Sequence, residues 1–172
     1  DNEHFRELNG LTSEWIEQRT GILTRSKAKP EENVNTMSLE AVRDALPHLP
    51  YDIKEVDLIV SASYSPHDTV ATAAHTVQHV YQIAGAKALY LSSACSSFMN
   101  ALEVVEGYFA SGKAKKALLL SADKNSAYYN ETDPKAGHLW GDAAAAFFLS
   151  KEPVRETDAE ILEIYTCGLG DL

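Results

Sequence analysis

Cysteine is scarce in this sequence, with Cys95 and Cys167 the only two among 172 residues. Two thiols are too few for the disulfide framework of a small secreted domain, so we expect a reducing, cytoplasmic environment. The motifs CxxC and HExxH are absent, and no cluster of residues has the spacing of metal ligands. The sequence therefore predicts neither a disulfide scaffold nor a metal site.

Long apolar runs are also missing. The longest, Ala143–Leu149, has the size of a strand and falls well short of the roughly 20 residues that cross a bilayer. No charged segment followed by an apolar one opens the chain, so we expect no secretory signal. Hydrophobic residues make up 45% of the chain and charged residues 23%, which is the composition of a globular domain.

Positive charge is outnumbered, because 15 Lys+Arg face 25 Asp+Glu and leave a net charge of −10. Phosphate backbones and anionic membranes bind to basic surfaces, so this balance disfavours nucleic acid and membrane partners. An acidic chain can still carry one small basic site for an anionic ligand.

From Val56 onward the apolar pattern alternates between strands and helices. Short runs rich in β-branched and apolar residues predict strands, and longer stretches with one apolar face predict helices. Such alternation favours an α/β fold with a mostly parallel sheet and helices on both faces. The predicted strands are Val56–Ala62, Lys87–Ser92, Ala117–Ala122, Ala143–Leu149 and Ile161–Thr166. The predicted helices are Ala71–Ala84, closed by Gly85, and Cys95–Ala110.

The first third of the chain has a different pattern. It predicts short helices over Thr12–Arg19 and about Met37–Leu46, with the polar loop Thr24–Val34 between them. No shift in composition marks a linker, so we expect residues 1–172 to form one domain.

Cys95 follows a predicted strand and stands where a predicted helix begins. At a helix N-terminus, unpaired N–H groups and the positive end of the helix dipole favour a thiolate and can hold a developing oxyanion. One interpretation of Cys95 is therefore a nucleophile. The other is a small buried hydrophobic residue, which is the usual state of a free cysteine. Cys167 has no comparable context and is predicted to be structural.

Three segments carry motifs in a recognisable order. Ser13–Ile16 precedes Arg19–Ile22 and Arg25, then comes Ser-Ala-Cys-Ser-Ser-Phe around Cys95, and finally Trp140–Ala145. The first resembles the N-terminal signature of the β-ketoacyl-ACP synthase III family (ACP, acyl carrier protein), the second its nucleophile segment, and the third its aromatic-Gly-Asp strand entry. The resemblance covers nearly the whole chain.

This resemblance implies the N-terminal half of a duplicated thiolase fold, with the second half absent from this chain, and a homodimer. It also implies an acyltransferase in which Cys95 takes an acyl group from acyl-CoA. The acyl group then condenses with the carbanion of decarboxylated malonyl-ACP. Acyl-CoA is a substrate, and no further cofactor is implied. The family's catalytic His and Asn belong to the second half, and none of the six histidines here lies in a family-like segment. The isolated half is therefore expected to be inactive.

CoA binding is the second function that the resemblance places in this chain. Trp15 matches the position that stacks on the adenine, and Arg19, one helical turn later, matches a position that contacts the phosphates or base. Arg25 matches a family arginine and is assigned to the same site. A second CoA-contacting arginine of the family is missing here, and Lys135 would supply only a point charge. The alternative is a half-buried Trp15 packed on its helix with Arg19 beside it.

The acyl pocket implied by the resemblance departs from the family. Val70 matches a position where Phe often reaches across the dimer, Tyr128 a commonly aliphatic position, and Trp140 a commonly Phe position. Val70 would open the pocket and Trp140 would narrow it, which predicts a non-standard acyl group. Ser97 also stands where Gly is usual. Ordinary core packing of the three pocket residues is the other interpretation.

Two further functions stay open. One is a related CoA-thioester acyltransferase or condensing enzyme of secondary metabolism. The other is a non-catalytic partner subunit that only dimerises and shapes a pocket. Cys95 disfavours the second, because such a subunit has no need of a thiol at that turn.

Overall fold

The computed structural model describes residues 1–168 and 170. Within these residues lie five α-helices and four strands. The helices are α1 (Glu3–Asn9), α2 (Ser13–Thr20), α3 (Val34–Ala45), α4 (Ala73–Val80) and α5 (Ser97–Ala110). The strands are β1 (Leu58–Ala62), β2 (Lys87–Leu91), β3 (Lys116–Lys124) and β4 (Asp142–Ser150).

Backbone contacts divide the chain into two compact units. The first unit comprises Asp1–Asn33 and Asp123–Ala143, and the second comprises Val34–Ala122 and the described residues from Ala144 onward. The single domain over residues 1–172 stays a prediction.

Helix α2 in the first unit forms where its local signals place it. The hydroxyl of Thr12 accepts a hydrogen bond from the Trp15 N–H at 3.2 Å, which caps the first turn. Gly21 ends the helix with φ +70°, and its N–H donates to the Glu17 carbonyl at 2.8 Å. The predicted helix Thr12–Arg19 is confirmed to within one residue at each end.

The sheet has the strand order β2-β1-β3-β4. Strand β1 pairs in parallel with β2 on one side and with β3 on the other. The N–H of Lys151, just past β4, donates to the carbonyl of Lys115, just before β3, at 2.9 Å. This bond joins the end of β4 to the start of β3, so that pair runs antiparallel. The predicted mixed, mostly parallel sheet is confirmed.

Successive residues of the central strand face opposite sides of the sheet. Ile59 packs in one core cluster with Ala74 and Val77 of α4. Its neighbours Leu58 and Val60 pack in a second cluster, to which α5 contributes Ala101, Leu102 and Val105. All five residues of β1 are buried, as a strand covered on both faces requires. The prediction of helices on both faces is confirmed.

The two helices predicted after Val56 differ from the structure at their ends. Helix α4 stops at Val80, four residues before the predicted end, and Gln82 takes the left-handed conformation at φ +54° in place of the predicted closure at Gly85. The Gln78 side chain stabilises this turn, because its amide donates to the Ala86 carbonyl at 2.6 Å. Helix α5 begins at Ser97 and leaves Cys95 in the preceding turn.

The fifth predicted strand, Ile161–Thr166, is wrong. Residues 161–168 lie in neither helix nor strand, and the Leu162 side chain is 86% exposed. Within the described part of the chain the apolar run lacks the neighbouring strand that would bury it. The segment is instead tied to α5 by a bond from the Thr166 hydroxyl to the Glu103 carboxylate at 2.8 Å.

Among residues 1–168 and 170, every helix is too short or too polar to reach across a bilayer.

Candidate active site

Cys95 lies in a tight turn between β2 and α5 in the second unit. Its side chain is exposed and its sulfur is a free thiol. The Ser96 N–H donates to the Ser93 carbonyl and the Ser97 N–H donates to the Ala94 carbonyl, both at 3.1 Å. Ala94 has φ +52°, a conformation that residues other than glycine rarely adopt. The chain therefore bends sharply just before the cysteine, which presents the thiol outward.

The start of α5 lies immediately after Cys95. The N-cap residue is Ser96, and its side chain makes no capping hydrogen bond. The Ser96 side chain therefore takes up none of the first-turn N–H groups, although the N–H of Ser97 donates to the Ala94 carbonyl. This end of α5 carries the positive end of the helix dipole. An exposed thiol beside such a terminus can act as a thiolate nucleophile, and the predicted position of Cys95 at a strand-to-helix turn is what the structure has.

Trp15 and Arg19 come together on α2 in the first unit. The guanidinium carbon of Arg19 lies 4.3 Å from the centre of the Trp15 indole, within the range of a cation–π contact. Trp15 is half-buried and Arg19 is exposed. An aromatic face beside an exposed cation is suited to a flat heterocycle that carries negative charge.

The ring of His138 also contacts Trp15, in an edge-to-face arrangement. Its ring centre is 5.5 Å from that of Trp15, with the planes at 77°, and its side chain is buried. The Nδ1 atom of His138 has no hydrogen-bond partner within the described residues. Burial lowers the pKa of His138 and the charge of Arg25 lowers it further, so the imidazole is neutral at pH 7. Sequence reasoning missed this contact because no local signal links residues 15 and 138.

Arg25 has internal partners in the first unit. One terminal nitrogen donates to the Asn2 side chain at 2.9 Å and the other to the His138 carbonyl at 2.6 Å. Its guanidinium also lies 4.8 Å from the centre of the Phe5 ring. Burial lowers the pKa of Arg25. The structure thus gives Arg25 a role in holding α1 and the loop before β4, and its assigned contact with CoA stays a prediction.

Lys27 also has a partner of its own. Its ammonium group bonds to the Glu131 carboxylate at 2.7 Å, and the Tyr129 hydroxyl donates to the same carboxylate at 2.8 Å. Lys27 and then Tyr129, as hydrogen-bond donors, lower the pKa of Glu131 to about 2. The positive charge of Lys27 is therefore neutralised locally, which leaves Arg19 as the better-placed cation beside Trp15.

The Gly-Asp motif at the start of β4 has a structural role that the sequence did not indicate. The Asp142 carboxylate accepts the Ala28 N–H at 2.7 Å and the Ser126 N–H at 2.8 Å. Burial raises the pKa of Asp142, but these hydrogen bonds outweigh it and the net shift is downward. A Cβ on Gly141 would come within 3.1 Å of the Arg25 Cβ. The motif thus anchors the loop that carries Arg25.

The three residues assigned to an acyl pocket are divided between the two units. Val70 belongs to the second unit and is 86% exposed. Tyr128 and Trp140 belong to the first unit, where Tyr128 is 67% exposed and Trp140 is half-buried. A small cavity in the second unit has Asn35, Ser61, Thr72 and other residues in its lining, with Val70 outside that set. The role of all three in an acyl pocket stays a prediction.

Two further histidines have polar neighbours. His75 Nδ1 lies 3.0 Å from the Thr72 hydroxyl, and His67 Nε2 lies 4.0 Å from the Asp68 carboxylate. In the part of the chain that the structure describes, no three His, Cys, Asp or Glu side chains are grouped to hold a metal ion.

Comparison with known proteins identifies the relatives of this chain. A sequence model of the 3-oxoacyl-[acyl-carrier-protein (ACP)] synthase III family matches residues 90–168, a range that includes Cys95. A curated relative, beta-ketoacyl-[acyl-carrier-protein] synthase III of Pasteurella multocida, is 37% identical over 148 residues, which is 86% of this chain and 47% of that protein.

Solved structures show the same relationship. The 3-oxoacyl-[acyl-carrier-protein] synthase III of Aquifex aeolicus is 33% identical with a TM-score of 0.81, over 91% of this chain and 49% of that one. A priming β-ketosynthase of the R1128 polyketide biosynthetic pathway is 29% identical with the same TM-score of 0.81, over 87% of this chain and 45% of that one. The chain spans about half the length of these relatives. By sequence and by fold, over the half of their length that it spans, the chain is similar to enzymes of the β-ketoacyl-ACP synthase III family.

Proposed function

We propose that this chain is the N-terminal half of an acyl-CoA-dependent condensing enzyme of the β-ketoacyl-ACP synthase III type. In this proposal Cys95 carries the acyl group, and Trp15 with Arg19 binds the CoA moiety. The remaining half supplies the histidine and asparagine that complete catalysis.

One observation carries the proposal more than any other. Cys95 is an exposed thiol in the sharp turn just before α5, inside the segment that matches the family. Exposure is needed for attack on a substrate, and N–H groups at a helix terminus can hold a developing oxyanion. Cys167 is exposed as well, so the place of Cys95 directly before α5 singles it out more than exposure does.

The proposed reaction has two steps. First, the Cys95 sulfur attacks the carbonyl carbon of acyl-CoA, the bond from that carbon to the CoA sulfur breaks, and CoA leaves with the proton that Cys95 gave up. Second, malonyl-ACP loses CO₂, and the electron pair of the broken C–C bond forms a carbanion. The carbanion attacks the acyl carbonyl, a new C–C bond forms, and the Cys95 thiolate is released.

The binding of CoA is supported by the Trp15–Arg19 pair. The indole offers a flat face for adenine, and stacking of a base on an aromatic side chain contributes about 1–3 kcal/mol in nucleic-acid complexes. The exposed guanidinium of Arg19 lies over that ring and can turn toward a phosphate. Uniform binding of this kind lowers KM and leaves kcat unchanged.

Acylation of the complete polypeptide that contains this chain tests the proposal. The protein is incubated with acetyl-, butyryl- and longer acyl-CoAs, digested, and analysed by peptide mass spectrometry. We expect the acyl mass on the peptide that contains Cys95, in the wild type and in Cys167→Ala, and its loss in Cys95→Ala. An acyl group on Cys167, or on neither thiol, would contradict the proposal.

A condensing enzyme of secondary metabolism is the second candidate. It is favoured by the likeness to the priming β-ketosynthase, whose TM-score equals that of the Aquifex aeolicus synthase. The two candidates share Cys95 and differ in the acyl group and the acceptor. Competition between acyl-CoA starters, with product analysis after addition of malonyl-ACP, separates them. A preference for acetyl-CoA favours the first, and a preference for a longer or branched starter favours the second.

We also propose a homodimer in a cytoplasmic setting. The exposure of Val70 supports the first part, since an apolar side chain that is 86% exposed suits a subunit contact. Light scattering on the complete protein measures the assembly, and a monomer at micromolar concentration would reject it.

A further inference from the structure

The hydroxyl of Ser97 is built into the turn that carries Cys95. We propose that Ser97 is a positioning residue, which holds this turn in the conformation from which the thiol attacks acyl-CoA. The inference rests on the proposed role of Cys95 and adds a residue to it. Ser97 stands two positions after the thiol and is only 5% exposed, so its hydroxyl faces the protein and not the substrate.

Ser97 forms hydrogen bonds to Ser93 and Ala94, the two residues that precede Cys95. Its Oγ accepts a hydrogen bond from the Ser93 N–H at 2.9 Å. The same hydroxyl donates to the Ala94 carbonyl at 2.7 Å, and the Ser97 N–H donates to that carbonyl at 3.1 Å. One side chain thus cross-links both residues before the thiol, and both the donor and acceptor capacity of the hydroxyl are used.

The conformation that Ser97 holds is one that the chain would otherwise avoid. Ala94 has φ +52°, in the left-handed region where a Cβ is unfavourable. Such a residue persists only when its surroundings fix it. The direct bonds from Ser97 to Ala94 are part of that restraint, and Cys95 follows Ala94 immediately. A change in the backbone at Ala94 would therefore re-aim the thiol.

A second side chain reinforces the same turn. The Asn100 amide donates to the Ser93 hydroxyl at 2.7 Å, and the Asn100 N–H donates to the Ser96 carbonyl at 3.0 Å. Ser93 is therefore bound through its N–H by Ser97, through its carbonyl by the Ser96 N–H, and through its hydroxyl by Asn100. These hydrogen bonds join the segment after β2 to the first turn of α5, on either side of Cys95.

Glycine is usual at this position in the family that the sequence resembles, and it would lack the hydrogen bonds that the Ser97 side chain makes to Ser93 and Ala94. Without the hydroxyl, the Ser93 N–H loses its acceptor and the Ala94 carbonyl loses one of its two donors. The adjacent Ser96 is different, because it is exposed and its side chain makes no capping bond. Ser96→Ala is therefore a control of the same chemistry, one residue closer to the thiol.

The test compares variants of the complete polypeptide in a Cys167→Ser background, so that one thiol of this chain remains. Single-turnover acylation by acyl-CoA is followed by intact-protein mass spectrometry. We expect Ser97→Ala to lower the maximal acylation rate about tenfold, because misplacement of a nucleophile by a fraction of an ångström has effects of this order. The acyl-CoA concentration for half-maximal rate should change less than twofold. Ser96→Ala should match the wild type, and Ser97→Thr, which keeps the hydroxyl, should recover most of the rate.

A second readout separates positioning from general damage. Iodoacetamide is small and attacks an exposed thiol from many directions, so its rate with Cys95 should change less than the acylation rate. If Ser97→Ala does not unfold cooperatively, Ser97→Gly replaces it. Unchanged acylation in the folded variant, or equal losses in acylation and alkylation, would overturn the role of Ser97. Failure of the wild type to be acylated on Cys95 would instead overturn the proposed function.

Discussion

The guanidinium of Arg19 lies over the indole of Trp15, 4.3 Å from its centre and one helical turn away along α2. Residues four apart on a helix lie on the same face, so this contact needs only the helix to form. A cation–π contact at the protein surface contributes about 0.5–1 kcal/mol. The pair is thereby ordered before a ligand arrives, which reduces the entropy lost on binding.

Replacement of either residue should weaken acyl-CoA binding more than catalysis. We expect Trp15→Ala to lose about 1–3 kcal/mol of stacking, which raises KM for acyl-CoA about 5- to 150-fold. Arg19→Ala should also raise KM more than it lowers kcat, as expected when uniform binding is removed. Steady-state kinetics of the complete protein measures both parameters.

Arg6→Ala is the matched control for charge. Arg6 is an exposed arginine on α1 whose ion pair is with Glu3, at 3.8 Å. Its removal takes one positive charge from the first unit, as Arg19→Ala does. Equal KM changes in the two variants would show that long-range charge is responsible, and unchanged kinetics in folded Trp15→Ala and Arg19→Ala would reject the assignment.

The ion pair of Glu131 should make the stability of the protein depend on pH at the acid end. The pKa of Glu131 is lowered from 4.5 to about 2 in the folded state. A lowered pKa means that the carboxylate stabilises the folded state above pH 4.5 and that this contribution is lost as the pH falls toward 2. Because the group is a quarter exposed, we expect about 1 kcal/mol at most.

Urea unfolding of wild type and Glu131→Gln from pH 7 down to pH 2 measures this contribution. The difference in free energy of unfolding should be largest at neutral pH and should shrink below about pH 4.5. Glu7→Gln, which removes an exposed carboxylate on α1, should show a smaller difference at neutral pH. A Glu131→Gln difference that stays constant with pH would contradict the argument.

Asp142 should stabilise the folded protein through its two acceptor oxygens, and not through its negative charge alone. Its carboxylate accepts two backbone N–H groups, from Ala28 and Ser126. In Asp142→Asn one oxygen becomes an amide donor that faces a backbone donor, so one N–H loses its acceptor. We expect a loss of about 1–3 kcal/mol in the free energy of unfolding. Asp44→Asn, at an exposed position of α3, should change it by less than about 0.5 kcal/mol.

Elements with local signals could be predicted from the sequence, and those that depend on distant partners could not. Helix α2 has its cap in Thr12 and its stop in Gly21, both within the segment. Helix α1 was missed because it has seven residues, no side-chain cap, and an anchor in the buried Phe5. The strand predicted over Ile161–Thr166 failed for the converse reason, since an apolar run becomes a strand only beside a partner.

The same distinction applies to the candidate site. The place of Cys95 at a strand-to-helix turn followed from the local pattern, and it is what the structure has. The partners of Arg25 are Asn2, Phe5 and the His138 carbonyl, and the last lies 113 positions away in the chain. The sequence alone identified Ser97 as a departure from the family. Its hydrogen bond to the Ser93 N–H could not be predicted, because it depends on a backbone bend at Ala94 that has no local sequence signal.

This chain alone should not carry out the condensation. None of its histidines lies in a family-like catalytic segment, and decarboxylation needs donors aimed at the developing enolate. Apolar side chains of the last described segment are also uncovered, with Leu162 86% and Tyr165 76% exposed. We therefore expect the isolated chain to aggregate more readily than the complete protein.

The measurement is the release of CO₂ from malonyl-ACP by the isolated chain in the presence of acyl-CoA. An unfolded fragment would be inactive for a trivial reason, so the preparation must first show cooperative unfolding. Acylation of Cys95 without CO₂ release is the expected result, because the thiol and the Trp15–Arg19 pair are present while the decarboxylating groups are not. Sustained turnover that disappears in Cys95→Ala would contradict the prediction, and it would mean that His67, His75 or another imidazole of this chain serves the thiol.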